Sequence, residues 1–205
     1  MDMKEIYKND NIKKYDDLKD YFVSELEFSK SDTECITNSE KLFIELYNLN
    51  SSRVWLLFAS KDNSNWECLQ VAQSKNQTRQ EIKELLEFMN TKLEVKEIEY
   101  KNSAFYDKVC PYFNDIEYRK LLYSKIFKEF KYFKISFLNV DKYLEINPNV
   151  NCDNDSERII EICKNQYAEA KVAYQTKAKY WRCYSSGIDG QTLSYIVINR
   201  SQFQN

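Results

Sequence analysis

The apolar positions of this chain repeat with two different periods. Arg53–Ala59 is almost continuously hydrophobic, the pattern of a short strand buried on both faces. A turn-rich Lys61–Asn65 and a second apolar run, Trp66–Ala72, complete a predicted β-hairpin over 53–72. Tyr132–Leu138 alternates, with Phe133, Ile135 and Phe137 on one face of a strand. Leu93–Tyr100 and Leu193–Ile198 are further predicted strands.

Elsewhere the spacing is helical. Leu18, Phe22, Val23 and Leu26 share one face of a short predicted helix. Thr37 with Glu40 fits a capping box opening a helix over Lys41–Asn48. Ser74 or Asn76 is placed to cap a helix carrying Ile82, Leu85, Leu86 and Met89. Ile116–Phe130 and Glu157–Tyr184 read as later helices. The second carries Ile160, Cys163, Tyr167, Ala170, Tyr174 and Trp181, and a turn at Gly187 is expected to end it.

The fold class expected is therefore α+β: a small mixed or antiparallel sheet, the hairpin plus later strands, packed by amphipathic helices. The reading is a single domain over 1–205. Residues 1–50 are a helical preface whose first 17 residues are a frayed lead-in. The asparagine-rich Asn147–Ser156 is the clearest loop or subdomain boundary, and 101–156 is a candidate insertion.

Composition narrows the chemistry. Histidine is absent, which removes serine–histidine and cysteine–histidine catalysis and the histidine-bearing zinc motifs. The six cysteines include no Cys-x-x-Cys pair, so buried thiols are expected rather than a metal site. The carboxylate pairs Glu81/Glu84 and Glu94/Glu97 read as surface residues. No apolar run approaches a membrane span and Met1–Glu5 is no signal peptide, so a cytoplasmic protein with no membrane partner is expected.

With 30 basic and 32 acidic residues, polyanion binding has to come from local asymmetry. Arg119, Lys120, Lys125, Lys128, Lys131 and Lys134 are opposed only by Glu129 across 119–134, and aromatic residues interleave them. Lys171, Lys177, Lys179 and Arg182 dominate the end of the last helix. Phosphate contacts beside aromatic rings are the components of nucleic-acid binding. The plainer alternative is a solvated face whose cations complement a helix C-terminus. Lys125, Lys128, Lys131, Lys177, Lys179 and Arg182 form the candidate interface for DNA or RNA.

The order hairpin, capped helix, strand, late helix resembles the GIY-YIG nuclease family. Ala72-Gln-Ser-Lys-Asn76 stands where that family has a Gly-x-Ser-x-Asn type turn. Tyr180-Trp-Arg-Cys-Tyr-Ser-Ser-Gly187 is similar to its far helix. The likeness covers 54–100 and 165–190, with 101–164 between them. It implies a helical arginine, for which Arg79 is the candidate one residue early, and a metal-holding glutamate. Thr176, Lys177, Ala178 and Lys179 stand where that glutamate belongs, and no tyrosine occurs between Tyr47 and Tyr100.

The expectation is a nucleic-acid-interacting protein on a GIY-YIG-like scaffold without the usual nuclease activity and without a cofactor. One alternative is a protein-interaction module, an inhibitor or adaptor. Another is an active nuclease using Mg²⁺ or Mn²⁺, with Glu169 or Asp189 as a relocated carboxylate.

Overall fold

The computed structural model describes residues 12–74, 77–90, 116–145, 154–180, 185–186 and 192–193. The elements are β1 (Phe22–Ser29), α1 (Lys30–Glu34), α2 (Ile36–Asn48), β2 (Val54–Ser60), β3 (Glu67–Gln73), α3 (Thr78–Met89), α4 (Ile116–Glu129), β4 (Tyr132–Leu138), α5 (Val140–Leu144) and α6 (Asn154–Thr176). Two short strands, β5 (Ser185–Ser186) and β6 (Thr192–Leu193), pair with each other. The fold is α+β. Its four-stranded sheet is antiparallel throughout, in the order β1-β4-β2-β3.

Both sheet faces are covered, and strand alternation decides which residue serves which core. Trp55, Leu57, Ala59, Phe133, Ile135 and Phe137 pack with Leu42 and Leu46 of α2, Ile82 and Leu86 of α3, Ile126 of α4 and Phe130 just beyond it. Val54, Leu56, Phe58 and Leu138 turn the other way, onto Val140, Tyr143, Ala168, Val172 and Ala173 of α5 and α6. Every residue of β2 is buried, as its unbroken apolar run requires. A β-bulge at Leu69, which has no opposite number between Leu57 and Phe58, modifies this alternation. Gln70 is thereby buried, with Oε1 accepting from Tyr123 Oη at 2.6 Å.

Several expectations change. Phe22–Ser29 is a strand and not a helix, so this part of the expected preface is not helical. The helical spacing of Leu18, Phe22, Val23 and Leu26 competes with the alternation Glu25-Leu-Glu-Phe, and pairing with β4 lets the alternation win. A register shift between Phe22 and Ser24 leaves Val23 exposed. Residues 12–17 are docked rather than frayed. Lys13 N–H donates to Gln175 O at 2.9 Å, and the Tyr15 ring meets Phe58 edge-on at 5.2 Å. Leu18 is fully buried.

β4 lies inside the stretch expected as an insertion, yet it is an inner strand of the sheet. The capping box forms at Ser29, whose N–H donates to Asp32 Oδ2 at 2.6 Å; α2 instead begins at Ile36 behind Cys35. Gln77 precedes α3 as its cap residue. Ser74 takes the indole N–H of the buried Trp55 at 3.1 Å and donates to Glu81, which is half-buried rather than a surface residue.

The helix expected through Tyr184 stops at Thr176. Lys177 adopts φ 51 and its N–H bonds Tyr174 O at 3.2 Å, while Ala178 N–H reaches back to Ala173 O at 3.0 Å. This is a Schellman termination with lysine where glycine is usual. The chain then runs along β3. Lys179 N–H donates to Cys68 O at 3.1 Å and Tyr180 N–H to Leu69 O at 2.7 Å, so the outer edge of β3 is covered there. Of the strand predicted over Leu193–Ile198 only Leu193 is described, in β6; its remainder, the predicted strand over 93–100, Asn76, Trp181, Gly187 and Gly190 lie outside the described residues. Of the described cysteines only Cys68 is a buried thiol; Cys35 and Cys163 are exposed.

Candidate functional site

Three strand ends and one helix end meet at one pole of the sheet. Lys30 N–H donates to Lys131 O at 2.8 Å and Lys131 N–H to Ser60 O at 3.1 Å, lacing the ends of β1 and β2 to the start of β4. The last turn of α4 arrives at the same place, because Phe130 and Lys131 join it directly to β4. Each junction carries a lysine, which gives Lys30, Lys61, Lys128 and Lys131, and Lys179 approaches from beyond α6.

Glu129 marks the convergence. Its Oε1 lies 3.6 Å from Lys61 Nζ and 3.8 Å from Lys179 Nζ, so one carboxylate oxygen is shared by cations from the hairpin loop and from the segment after α6. Two of the lysines also lie over rings: Lys30 Nζ is 5.1 Å from the Phe127 centroid and Lys61 Nζ 5.5 Å from that of Phe130. These contacts flank the C-terminus of α4, whose free carbonyls favour positive charge. Nearby carboxylates are engaged by backbone. Asp62 accepts from the N–H groups of Ser64 at 3.0 Å and Asn65 at 2.9 Å, which hold its carboxyl well below the usual range. Asp32 caps α1.

Of the residues expected at a nucleic-acid interface, Lys128 and Lys131 belong to this pole and Lys179 is joined to it through Glu129. Lys125 is exposed one turn back on α4, and Lys177 is exposed two residues before Lys179. Arg182 lies outside the described residues. Lys134 is instead drawn into an ion cluster on the sheet, with little of its side chain exposed. Nζ is 3.3 Å from Glu25 Oε1, 3.0 Å from Glu27 Oε2 and 3.2 Å from Tyr15 Oη, with the Tyr15 and Trp66 rings 4.6 and 4.8 Å away. Burial would lower its pKa, but the bonds from Glu27 and Tyr15 outweigh that and raise it. Burial, helped by the bond to Glu25, pushes the Tyr15 phenol up to about 12.

Lys30 and Lys61 were not among the expected residues. Their neighbours in sequence carry no basic run; only strand register brings them to the pole. The nuclease candidates separate. Arg79 opens α3 on one side of the sheet and donates to Leu49 O at 2.7 Å, whereas Glu169 stands on α6, which packs on the other side. Asp189 lies outside the described residues. Among the described residues no group of three or more cysteines and carboxylates is arranged to hold a metal ion. Also among them, no helix is long and apolar enough to cross a membrane.

A second surface feature lies on α2. Ile36, Ile44 and Tyr47 are 79%, 63% and 48% exposed. Beside them runs a groove of about 210 Å³ lined by Leu42, Phe43, Leu86 and Asn90 among others.

No protein-family model, curated protein or solved structure matches the chain.

Proposed function

We propose that the lysine-rich pole binds nucleic acid through its phosphates, without cleaving it. The convergence of Lys61 and Lys179 on Glu129, with Lys128 and Lys131 on adjoining positions, is the observation that carries this reading. Ammonium groups brought together from separate elements release several condensed counterions when they meet a phosphate backbone, which supplies affinity even to a protein of net charge −2. Nuclease chemistry is left out of the proposal because Arg79 and Glu169 sit on helices packed against opposite faces. Any GIY-YIG-like ancestry would then persist as a scaffold for binding.

The test is a titration of labelled single- and double-stranded oligonucleotides at several salt concentrations. Binding should weaken with salt at a log–log slope of about −0.9 per phosphate contact on duplex DNA. Lys128→Ala/Lys131→Ala should flatten that slope by about 1–2 units. Absence of binding at low salt would sink the proposal. That result would favour the second reading, a protein-interaction module, which the exposed Ile36, Ile44 and Tyr47 beside their groove support.

A further inference from the structure

Resting on that reading, we infer that Lys61 and Lys179 seat one phosphate group of the bound strand, and that Glu129 holds the seat in the free protein. The two lysines come from the hairpin loop and from the turn after α6, so neither helix periodicity nor sequence proximity pairs them. They are paired by one oxygen, Glu129 Oε1, at 3.6 and 3.8 Å. An anionic oxygen between two ammonium groups is the arrangement a phosphate oxygen makes with the same two lysines.

The supporting frame is already built. Lys61 lies over the Phe130 ring, and its neighbour Asp62 fixes the hairpin loop by accepting two backbone N–H groups. Lys179 is held by its own N–H on Cys68 O, at the covered edge of β3. Glu129 is the last residue of α4, where a carboxylate opposes the helix dipole and gains nothing from it. Its gain comes from the two lysines, and a phosphodiester competes for them. Glu129 is thus an internal competitor: it keeps the two ammonium groups together, raises the ligand concentration that binding needs and lowers the salt concentration that binding survives.

The experiment measures affinity by fluorescence anisotropy with a labelled duplex and with one of its strands, at low salt and along a salt series. Glu129→Gln should tighten binding about two- to fivefold, the value of releasing exposed ion pairs. Glu67→Gln, which removes an exposed charge at the start of β3, should change it less. Lys61→Ala/Lys179→Ala should weaken binding and flatten the duplex slope by nearly two units, and adding Glu129→Gln to that double variant should give no further gain.

If wild type binds but Glu129→Gln leaves affinity unchanged or lowers it, the inference is overturned and the broader reading survives. A gain from Glu129→Gln that persists without the two lysines overturns it equally, as does an unaltered slope in the lysine double variant. No binding by wild type or Glu129→Gln at low salt removes the nucleic-acid reading and this inference with it. Tightening confined to the duplex or to the single strand identifies the form the seat accepts.

Discussion

Lys134 on an inner strand places its ammonium 3.3 Å from Glu25 on the edge strand β1, on the sheet face that also holds Tyr15 and Trp66. A lysine with only 12% of its side chain exposed needs such partners, and Glu27 and the Tyr15 hydroxyl complete them. Lys134→Ala leaves two carboxylates on β1 without their shared cation. It should cost about 2 kcal/mol, read from urea unfolding at neutral pH. Wild-type stability in this variant would mean that the cluster contributes nothing net.

Alkaline titration reads the same cluster from the other side. The Tyr15 phenol is raised to about 12 from 10.0, so its neutral form is favoured by folding. That contribution is fully present below pH 10 and is lost as pH rises toward 12. Tyr15→Phe should therefore lose less stability than wild type between these pH values, measured by unfolding at each pH.

Ser74 is the partner of a fully buried indole. Ser74→Ala strands the Trp55 N–H inside the core and removes the hydroxyl that bonds Glu81. An unpaired buried donor costs about 1–3 kcal/mol, so the unfolding midpoint in urea should fall with an unchanged slope.

Lys177 ends α6 at φ 51, a region glycine enters without steric penalty. Lys177→Gly should stabilise the protein by about 0.5–1 kcal/mol in the same assay. A loss of stability would show that the lysine side chain does more there than terminate the helix.

How far these features could be read in advance depends on how local their causes are. β4 was legible to the residue because Phe133, Ile135 and Phe137 alternate without interruption. β2 was legible within one residue because seven successive positions are buried. β1 was not, since Leu18, Phe22, Val23 and Leu26 satisfy a helical period by themselves and only the ladder to β4 selects the strand. The end of α6 was misplaced for a related reason. Its apolar spacing in the sequence continues to Trp181, and no glycine marks the stop at Lys177. At the pole, Lys128 and Lys131 stood out as a basic run, while Lys30 and Lys61 join them through backbone bonds among three strand ends that no local pattern encodes. Lys134 was counted with the surface cations because charge alone does not report which face of a strand a side chain takes.

The strand order β1-β4-β2-β3 also dictates when the sheet can close. The β2–β3 hairpin forms from neighbouring residues, but β1 is hydrogen-bonded to neither of its strands and has β4 as its ladder partner. Phe22–Ser29 must therefore wait more than a hundred residues for Tyr132–Leu138 to arrive. During synthesis the first strand and one side of β2 stay open until that late segment slides between them, a long-range closure of the slow kind. The glutamates of β1 suit this interval, because charge on an unpaired strand discourages pairing with the wrong neighbour before Lys134 reaches them.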